Sequence, residues 1–214
     1  MASTESITLA TSDGEQLQAE LFVPESPRAT IVVAHPNPLM GGDMHTPVPA
    51  ALFGALQGLG AAGVRFNFRG VGQSTGSHDK GQAERLDVVA AIDAAVAAAP
   101  GVPVLLSGWS FGADVSLAVD DERVAGWFLA AAPMKVLDHS TMAARTSPAP
   151  KRFAVPEHDQ FAPPAVVDEN LASWTNATAV TVPGADHFFG GVMDSVVDLF
   201  TEFVVEFAGS PPQP

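Results

Sequence analysis

The sequence predicts an α/β protein whose mostly parallel central sheet starts with an antiparallel hairpin and is covered by helices on both faces. Three observations predict this fold: a hairpin-like start, short apolar runs typical of strands buried on both faces, and segments with helical spacing between those runs. With 214 residues and a hydrophobic share of 47%, the chain can build one sizeable core. We expect a single domain over residues 1–214, with a flexible tail at 209–214.

The predicted elements alternate along the chain. A hairpin over residues 7–13 and 16–23 comes first. The candidate core strands are residues 29–34, 63–68, 102–106, 124–131, 153–155 and 178–182. The candidate helices are residues 47–60, 82–99, a short segment ending near 119, 164–175 and 192–208. Residues 134–150 form a long connection without an assigned element, and that connection is too short for a lid domain.

Composition excludes several classes of function. The chain has 10 Lys and Arg against 24 Asp and Glu, a net charge of −14, so its surface repels phosphate backbones and anionic lipid. We therefore expect neither a nucleic-acid nor a membrane partner. Residues 1–11 lack the features of a secretory signal, and no 18-residue apolar run free of charge appears, so a cytoplasmic location is expected. The absence of cysteine excludes disulfides, thiolate metal sites and cysteine nucleophiles.

A Gly-x-Ser-x-Gly motif at residues 108–112 is the sharpest sign of chemistry. It lies between an apolar strand and a helix, where a tight turn lifts the Ser110 hydroxyl above the sheet, and glycines are needed because side chains there would collide with neighbouring backbone. In a Gly-rich chain the pattern alone is weak, and an idle serine in a structural turn is the alternative. The strand–turn–helix context favours Ser110 as a nucleophile.

A serine nucleophile needs a base, and His187 is the candidate. It follows the last predicted strand and precedes the last helix. Loops after the carboxyl ends of parallel strands meet at one edge of the sheet, so His187 and Ser110 can approach each other. The alternative is a histidine in an ordinary surface loop.

The base in turn needs a carboxylate to fix its tautomer, and Asp159 is our first choice. It follows the strand at 153–155 and gives the chain order Ser, Asp, His. Glu157 and Asp138 are rivals for this role. Asp186 is adjacent to His187 in sequence, so its side chain is expected to point elsewhere.

Two backbone N–H groups are required to stabilise an oxyanion. Phe111, the residue after the nucleophile, offers the first. The second should come from the turn after residue 34, where Pro36 and Pro38 have no N–H. This leaves Asn37 as the expected donor and Leu39 as the fallback.

No metal or cofactor is expected. His35, His45 and His78 lack the spacing and carboxylate companions of a metal site. The Gly-rich segment 70–76 lacks the Lys-Ser/Thr ending of a phosphate-binding loop and is interpreted as a turn.

These motifs, together with the segments 35–42, 68–74 and 184–189, resemble the α/β-hydrolase superfamily over about residues 7–208. Within it, the chain is similar to small lid-less bacterial hydrolases related to dienelactone hydrolases and serine aminopeptidase-like proteins. The resemblance implies an α/β-hydrolase fold without a cap domain and a Ser–His–Asp mechanism. Dienelactone hydrolases use a cysteine nucleophile, which this chain lacks, so that activity is not implied.

The sequence therefore predicts a serine hydrolase, first of all a carboxylesterase that acts on a small-molecule acyl substrate through an acyl-enzyme on Ser110. A serine peptidase or amidase is the second hypothesis, because the same three groups can cleave amides. A non-catalytic binding protein on the same scaffold is the third. An oligomer is compatible with the sequence, which does not demand one.

Overall fold

The computed structural model describes residues 3–209 and places eight strands of that range in one sheet. The strands are β1 (Glu5–Ala10), β2 (Gln16–Phe22), β3 (Thr30–Ala34), β4 (Ala62–Phe66), β5 (Val104–Trp109), β6 (Val124–Ala130), β7 (Lys151–Pro156) and β8 (Ala177–Val182). The helices are α1 (Pro47–Leu59), α2 (Glu84–Ala98), α3 (Phe111–Leu117), α4 (Pro164–Leu171) and α5 (Met193–Ala208). Each strand and helix that the sequence predicts is present.

The sheet has the strand order β1-β2-β4-β3-β5-β6-β7-β8. The pairs β1–β2 and β2–β4 are antiparallel, and every pair from β4–β3 to β7–β8 is parallel. The predicted fold class, a mostly parallel sheet with an antiparallel hairpin at one edge, is confirmed.

Helices cover both faces of the sheet, which explains the continuous apolar runs in the central strands. In β3, the side chains of Val32 and Ala34 join the core that also receives α2, α3 and α4. Ile31 and Val33 point to the opposite face and join the core formed with α1 and α5. Both faces of a central strand must therefore be apolar, as its sequence is.

Several boundaries differ from the sequence prediction, among them the ends of β4, β5 and α4. β4 ends at Phe66, because the Phe68 N–H donates to a histidine ring (His35 Nε2, 3.0 Å) and no longer to a neighbouring strand. β5 extends to Trp109, because its last three residues continue to pair with β6. α4 ends at Leu171, and the buried Trp174 lies beyond the helix.

The parallel strands β3, β5, β7 and β8 all end at one edge of the sheet. The loops that follow them carry the residues for which chemistry was predicted. This arrangement of strands is what brings distant parts of the sequence to a common site.

Of the predicted tail at 209–214, residues 210–214 lie outside the described part of the chain. The Gly209 carbonyl accepts a hydrogen bond from the Arg28 guanidinium (2.7 Å). Within residues 3–209, no helix is both long and apolar enough to cross a membrane.

We predict that Phe200→Ala lowers the free energy of unfolding by about 3–5 kcal/mol. Phe200 is 1% exposed, and its ring centroid lies 5.3 Å from that of Phe128 on the central strand β6, so truncation leaves a cavity under the sheet. Phe188→Ala removes the same group from a side chain that is 51% exposed and should cost less than about 1 kcal/mol. Urea unfolding followed by tryptophan fluorescence measures both, and equal losses would contradict this account.

Candidate active site

Ser110 occupies a strained turn between β5 and α3. Its backbone has φ 55° and ψ −117°, a positive φ that non-glycine residues rarely adopt. Its N–H donates to the Ala130 carbonyl on β6 (3.0 Å), and its carbonyl accepts from the Ala113 N–H (3.0 Å). These bonds from both sides hold the turn and direct the hydroxyl away from the sheet.

The two motif glycines are required by contact rather than by their own φ angles. A Cβ on Gly108 would lie 2.5 Å from the carbonyl carbon of Gly112, across the turn. A Cβ on Gly112 would lie 2.5 Å from the His35 carbonyl oxygen and 2.6 Å from that of Ala34. Backbone atoms stand in the way in each case, so α3 can start here only because both residues lack side chains.

His187, in the loop after β8, lies between Ser110 and Asp159. Its Nε2 is 3.0 Å from Ser110 Oγ, and its Nδ1 is 2.9 Å from Asp159 Oδ2. An ionised carboxylate only accepts hydrogen bonds, so Nδ1 carries the proton and Nε2 is left to accept from the serine hydroxyl. The imidazole is therefore oriented as a base that faces the serine.

Asp159, in the loop after β7, is buried, and both oxygens of its carboxylate accept hydrogen bonds. Its Oδ1 accepts hydrogen bonds from the backbone N–H groups of Phe161 (2.7 Å) and Ala162 (3.2 Å). Burial favours the neutral carboxyl, but the hydrogen bonds from His187 and from these two amides outweigh it, so the pKa of Asp159 is lowered. The side chain remains a carboxylate and can stabilise an imidazolium.

The rival carboxylates bind elsewhere. Glu157 Oε2 accepts from the Gly184 N–H (2.7 Å), and Asp138 Oδ1 accepts from the Ser140 N–H (3.0 Å). Asp186 Oδ1 accepts from the Phe188 N–H (3.0 Å), so it points away from its neighbour's imidazole. The structure brings Asp159, and none of these three, into contact with His187.

Aromatic residues that sequence reasoning did not assign to the site position His187. The Phe161 ring packs edge-on against the imidazole, with 4.5 Å between centroids, and Phe188 does so at 5.5 Å. Trp109, whose place next to the nucleophile fits either an acyl pocket or packing, donates its indole N–H to the His187 carbonyl oxygen (3.0 Å). Phe161 follows Asp159 by two residues, and this spacing is the signal that could have revealed it.

The loop after β3 brings Asn37 to the same cavity as Phe111. Within residues 3–209, neither the Asn37 N–H nor the Phe111 N–H has a hydrogen-bond acceptor. The Leu39 N–H, the fallback donor, is already bonded to Asn37 Oδ1 (2.9 Å). Asn37 and Phe111 thus offer free donors at the cavity, and Leu39 does not.

His35 is buried beneath this loop, where both nitrogens of its ring form hydrogen bonds to backbone groups and neither is available to bind a metal. Its Nδ1–H donates to the Pro36 carbonyl (2.7 Å), and its Nε2 accepts from the Phe68 N–H (3.0 Å). Burial lowers its pKa to about 4, so the ring is neutral at pH 7, as this pair of bonds requires.

The other two histidines weighed as metal ligands each lie beside one carboxylate, so the expectation that they lack carboxylate companions was wrong. His45 Nε2 is 3.7 Å from Glu20 Oε1, and His78 Nδ1 is 2.7 Å from Glu84 Oε1. Among the described residues, no group of three His, Asp or Glu side chains is arranged to hold a metal ion.

Asp114, one turn into α3 after Ser110, is a further buried residue that sequence reasoning missed. Its carboxylate accepts hydrogen bonds from three consecutive backbone N–H groups, those of Met134, Lys135 and Val136, each at 2.9 Å. Burial raises the pKa of Asp114 to about 6, and the three amides act against that rise. The available signal was a carboxylate in a short helix whose other residues are all uncharged.

An open cavity of about 440 Å³ lies over Ser110 and His187. Its walls come from the loops after β3, β5, β6, β7 and β8 and are mostly apolar. Among the lining residues are Pro36, Trp109, Pro133, Val136, Phe161 and Phe188. The arrangement can therefore bind an apolar group beside a hydroxyl that faces a base.

Comparison with solved structures finds close similarity to two bacterial proteins. The chain is 30% identical to XC6422 from Xanthomonas campestris, described as an α/β serine hydrolase without a lid, with a TM-score of 0.88 over 98% of this chain and 97% of that one. It is also 30% identical to an α/β serine hydrolase homologue from Coxiella burnetii, with a TM-score of 0.84 over 93% of this chain and 96% of that one.

Among curated proteins, the uncharacterized protein RP471 from Rickettsia prowazekii is 31% identical over 175 residues, which are 77% of this chain and 74% of RP471. No protein-family model matches the sequence.

We predict that Gly112→Ala lowers the free energy of unfolding by about 2 kcal/mol or more, because the new Cβ would overlap two backbone carbonyls. Gly58→Ala is the matched control. Gly58 lies in α1, and no atom lies within 4 Å of the position that an alanine methyl would take there, so alanine should stabilise the chain by about 0.5–1 kcal/mol. Urea unfolding measures both, and a neutral Gly112→Ala would contradict the close approach.

We predict a pH-dependent contribution from His35. Its pKa is about 4 in the folded chain and 6.5 ordinarily, so the unfolded chain binds more protons between these values and stability falls as pH drops through this range. The stability advantage of the wild type over His35→Asn should shrink by about 2 kcal/mol between pH 7.5 and pH 5. Urea titrations at both pH values measure it, and a difference independent of pH would show that His35 is not held neutral.

Proposed function

This chain belongs to the α/β serine hydrolase family, and on that premise we propose that it is a carboxylesterase that forms an acyl-enzyme on Ser110. The observation that carries the proposal is the continuous chain of hydrogen bonds from Ser110 Oγ to His187 (3.0 Å) and from His187 to Asp159 (2.9 Å). Each of the three side chains follows the carboxyl end of a different strand, Ser110 after β5, Asp159 after β7 and His187 after β8.

In the proposed reaction, Ser110 Oγ attacks the ester carbonyl carbon while His187 Nε2 takes the hydroxyl proton. The carbonyl oxygen becomes an oxyanion, which accepts hydrogen bonds from the Asn37 and Phe111 N–H groups. The C–O bond to the alcohol then breaks, and the alcohol leaves with the proton from His187. Water, deprotonated by the same His187, then attacks the acyl carbon. The bond between that carbon and Ser110 Oγ breaks, Oγ takes the proton back from His187, and the acid is released.

Asp159 supports both half-reactions without changing its own charge. Its lowered pKa keeps it ionised, so it stabilises the imidazolium that forms twice in each cycle. It also fixes the tautomer in which Nε2 can accept a proton.

The cavity favours ester substrates over peptides with a free N-terminus. A carboxylate is the strongest side-chain partner for an ammonium group, and the described residues that line the cavity include no Asp or Glu. Apolar side chains continue onto the exposed rim, where Leu39 is 74% and Met40 71% exposed. A small acyl group fits the cavity, and a larger remainder of the substrate can extend over this rim.

We predict that Ser110→Ala abolishes hydrolysis of p-nitrophenyl esters and that Asp159→Asn lowers kcat by about 10⁴-fold, because an amide would stabilise the wrong imidazole tautomer. Glu157→Gln is the matched control. It removes a carboxylate two residues away that binds the Gly184 N–H, and kcat should stay close to that of the wild type.

Rates across acyl lengths, together with labelling by a fluorophosphonate probe, check this proposal. A large loss in Glu157→Gln with a small one in Asp159→Asn would reverse the assignment of the acid. Labelling of Ser110 without turnover of any ester would favour an amidase. Inactivity on every ester combined with no labelling would refute the serine hydrolase mechanism.

A further inference from the structure

One cation lies at the cavity. Among the described residues that line it, Lys135 is the only Lys or Arg, and the lining holds no carboxylate to oppose it. The chain as a whole carries a net charge of −14, so a single cation beside the reacting groups contrasts with its surroundings. A positive charge at this place attracts substrates that carry a negative charge more strongly than it attracts neutral ones.

The backbone of Lys135 is held by the buried carboxylate of Asp114. Its N–H donates to Asp114 Oδ2 (2.9 Å), and the N–H groups on either side of it donate to the same buried carboxylate. Lys135 is thus part of a loop that the protein has bound with three charge-assisted hydrogen bonds, which are the stronger kind. A surface lysine on an unanchored loop would have no such constraint.

The ammonium group contacts the residue whose ring packs against His187. Lys135 Nζ donates to the Phe161 carbonyl (3.2 Å) and lies 5.3 Å from the centroid of the Phe161 ring. That ring centroid is in turn 4.5 Å from the His187 centroid. The ammonium therefore lies within about 10 Å of the imidazole centroid, a distance that one small substrate can span.

The ammonium retains donors for a ligand. It has three N–H bonds, and one is used by the Phe161 carbonyl. Within residues 3–209, no carboxylate lies within ion-pair distance of the ammonium, although it attracts the buried Asp114 carboxylate from farther away. Two of the three N–H donors therefore have no acceptor among the described residues, and Lys135 lines the cavity.

We propose that Lys135 makes the enzyme prefer esters that carry a carboxylate a few bonds from the scissile carbonyl. This inference rests on the proposed esterase function and names the substrate class of the same site. The carboxylate accepts hydrogen bonds from the Lys135 ammonium while the ester carbonyl faces Ser110 and His187. The anionic group can belong to the acyl part, as in a half-ester of a dicarboxylic acid, or to the alcohol part.

The test compares anionic and neutral esters of matched shape. For the acyl side, p-nitrophenyl hemiglutarate is compared with p-nitrophenyl pentanoate. For the alcohol side, 4-(butyryloxy)benzoate is compared with its methyl ester. The measured quantity is the ratio of kcat/KM for the anionic ester to kcat/KM for the neutral ester, so intrinsic differences between the esters cancel when enzyme variants are compared.

Because Lys135 is exposed, water screens its ion pair with a substrate carboxylate, so in Lys135→Gln this ratio should fall about three- to fivefold for at least one of the two pairs. The affected pair identifies the side that carries the charge. Lys135→Arg keeps the cation and should keep most of the preference. Arg85→Gln is the matched control, because Arg85 is an exposed cation bonded to Gln82 outside the cavity, and its ratio should equal that of the wild type.

Two failures are distinguishable. If neutral esters are hydrolysed through Ser110 but Lys135→Gln leaves both ratios unchanged, or if Arg85→Gln lowers them equally, the substrate preference is refuted and the esterase proposal stands. If no ester is hydrolysed and Ser110 resists a fluorophosphonate, both proposals are refuted together.

Discussion

The turn between β5 and α3 is the constraint on which the rest of the site depends, because three pieces of backbone meet there without room for side chains. Ala34 and Gly108 are direct partners in neighbouring parallel strands, so the loop after β3 must pass over the start of α3. Gly112 permits that approach to the His35 carbonyl. The turn that holds Ser110 at a positive φ therefore lies against the loop that brings Asn37 to the same cavity. The strain of such a residue, about 1–3 kcal/mol, is offset by the packing around the central strand.

Two buried titratable side chains form hydrogen bonds to the backbone of loops that line the cavity. Each of them forms these bonds best in only one of its two protonation states. His35 must be neutral to donate to Pro36 and to accept from Phe68, and burial lowers its pKa to about 4. Asp114 binds three amides best as a carboxylate, although burial raises its pKa to about 6. As pH falls from about 6 toward 4, the His35 contribution destabilises the fold and the Asp114 contribution stabilises it, so the two oppose each other. Global stability in this range can stay nearly constant while the loop that Asp114 binds loses its charge-assisted hydrogen bonds.

Much of the fold could be predicted from the sequence, because apolar runs and helical spacing report directly on burial. The positions of Ser110, Asp159 and His187 at strand ends could be predicted for the same reason. The residues that hold the loops of the site in place could not be predicted, because their roles depend on contacts between segments far apart in sequence. His35 meets Phe68, and Asp114 meets residues 134–136, only after the sheet has formed. Strand ends were also missed where side chains, rather than neighbouring strands, take over the backbone hydrogen bonds, as at Phe68.

Helix α3 connects the reacting atom to the wall of the cavity. Ser110 stands at its start, and Asp114, one turn later, binds the loop that carries Lys135. Lys135 contacts Phe161, and Phe161 packs against His187, so the chain of contacts returns to the base. Because one helix of seven residues positions both the nucleophile and the cation, a change in α3 moves the hydroxyl and the charge relative to the base together. Because the described residues form no lid over this open cavity, the shared support in α3 is what links the position of the Ser110 hydroxyl to that of the Lys135 ammonium.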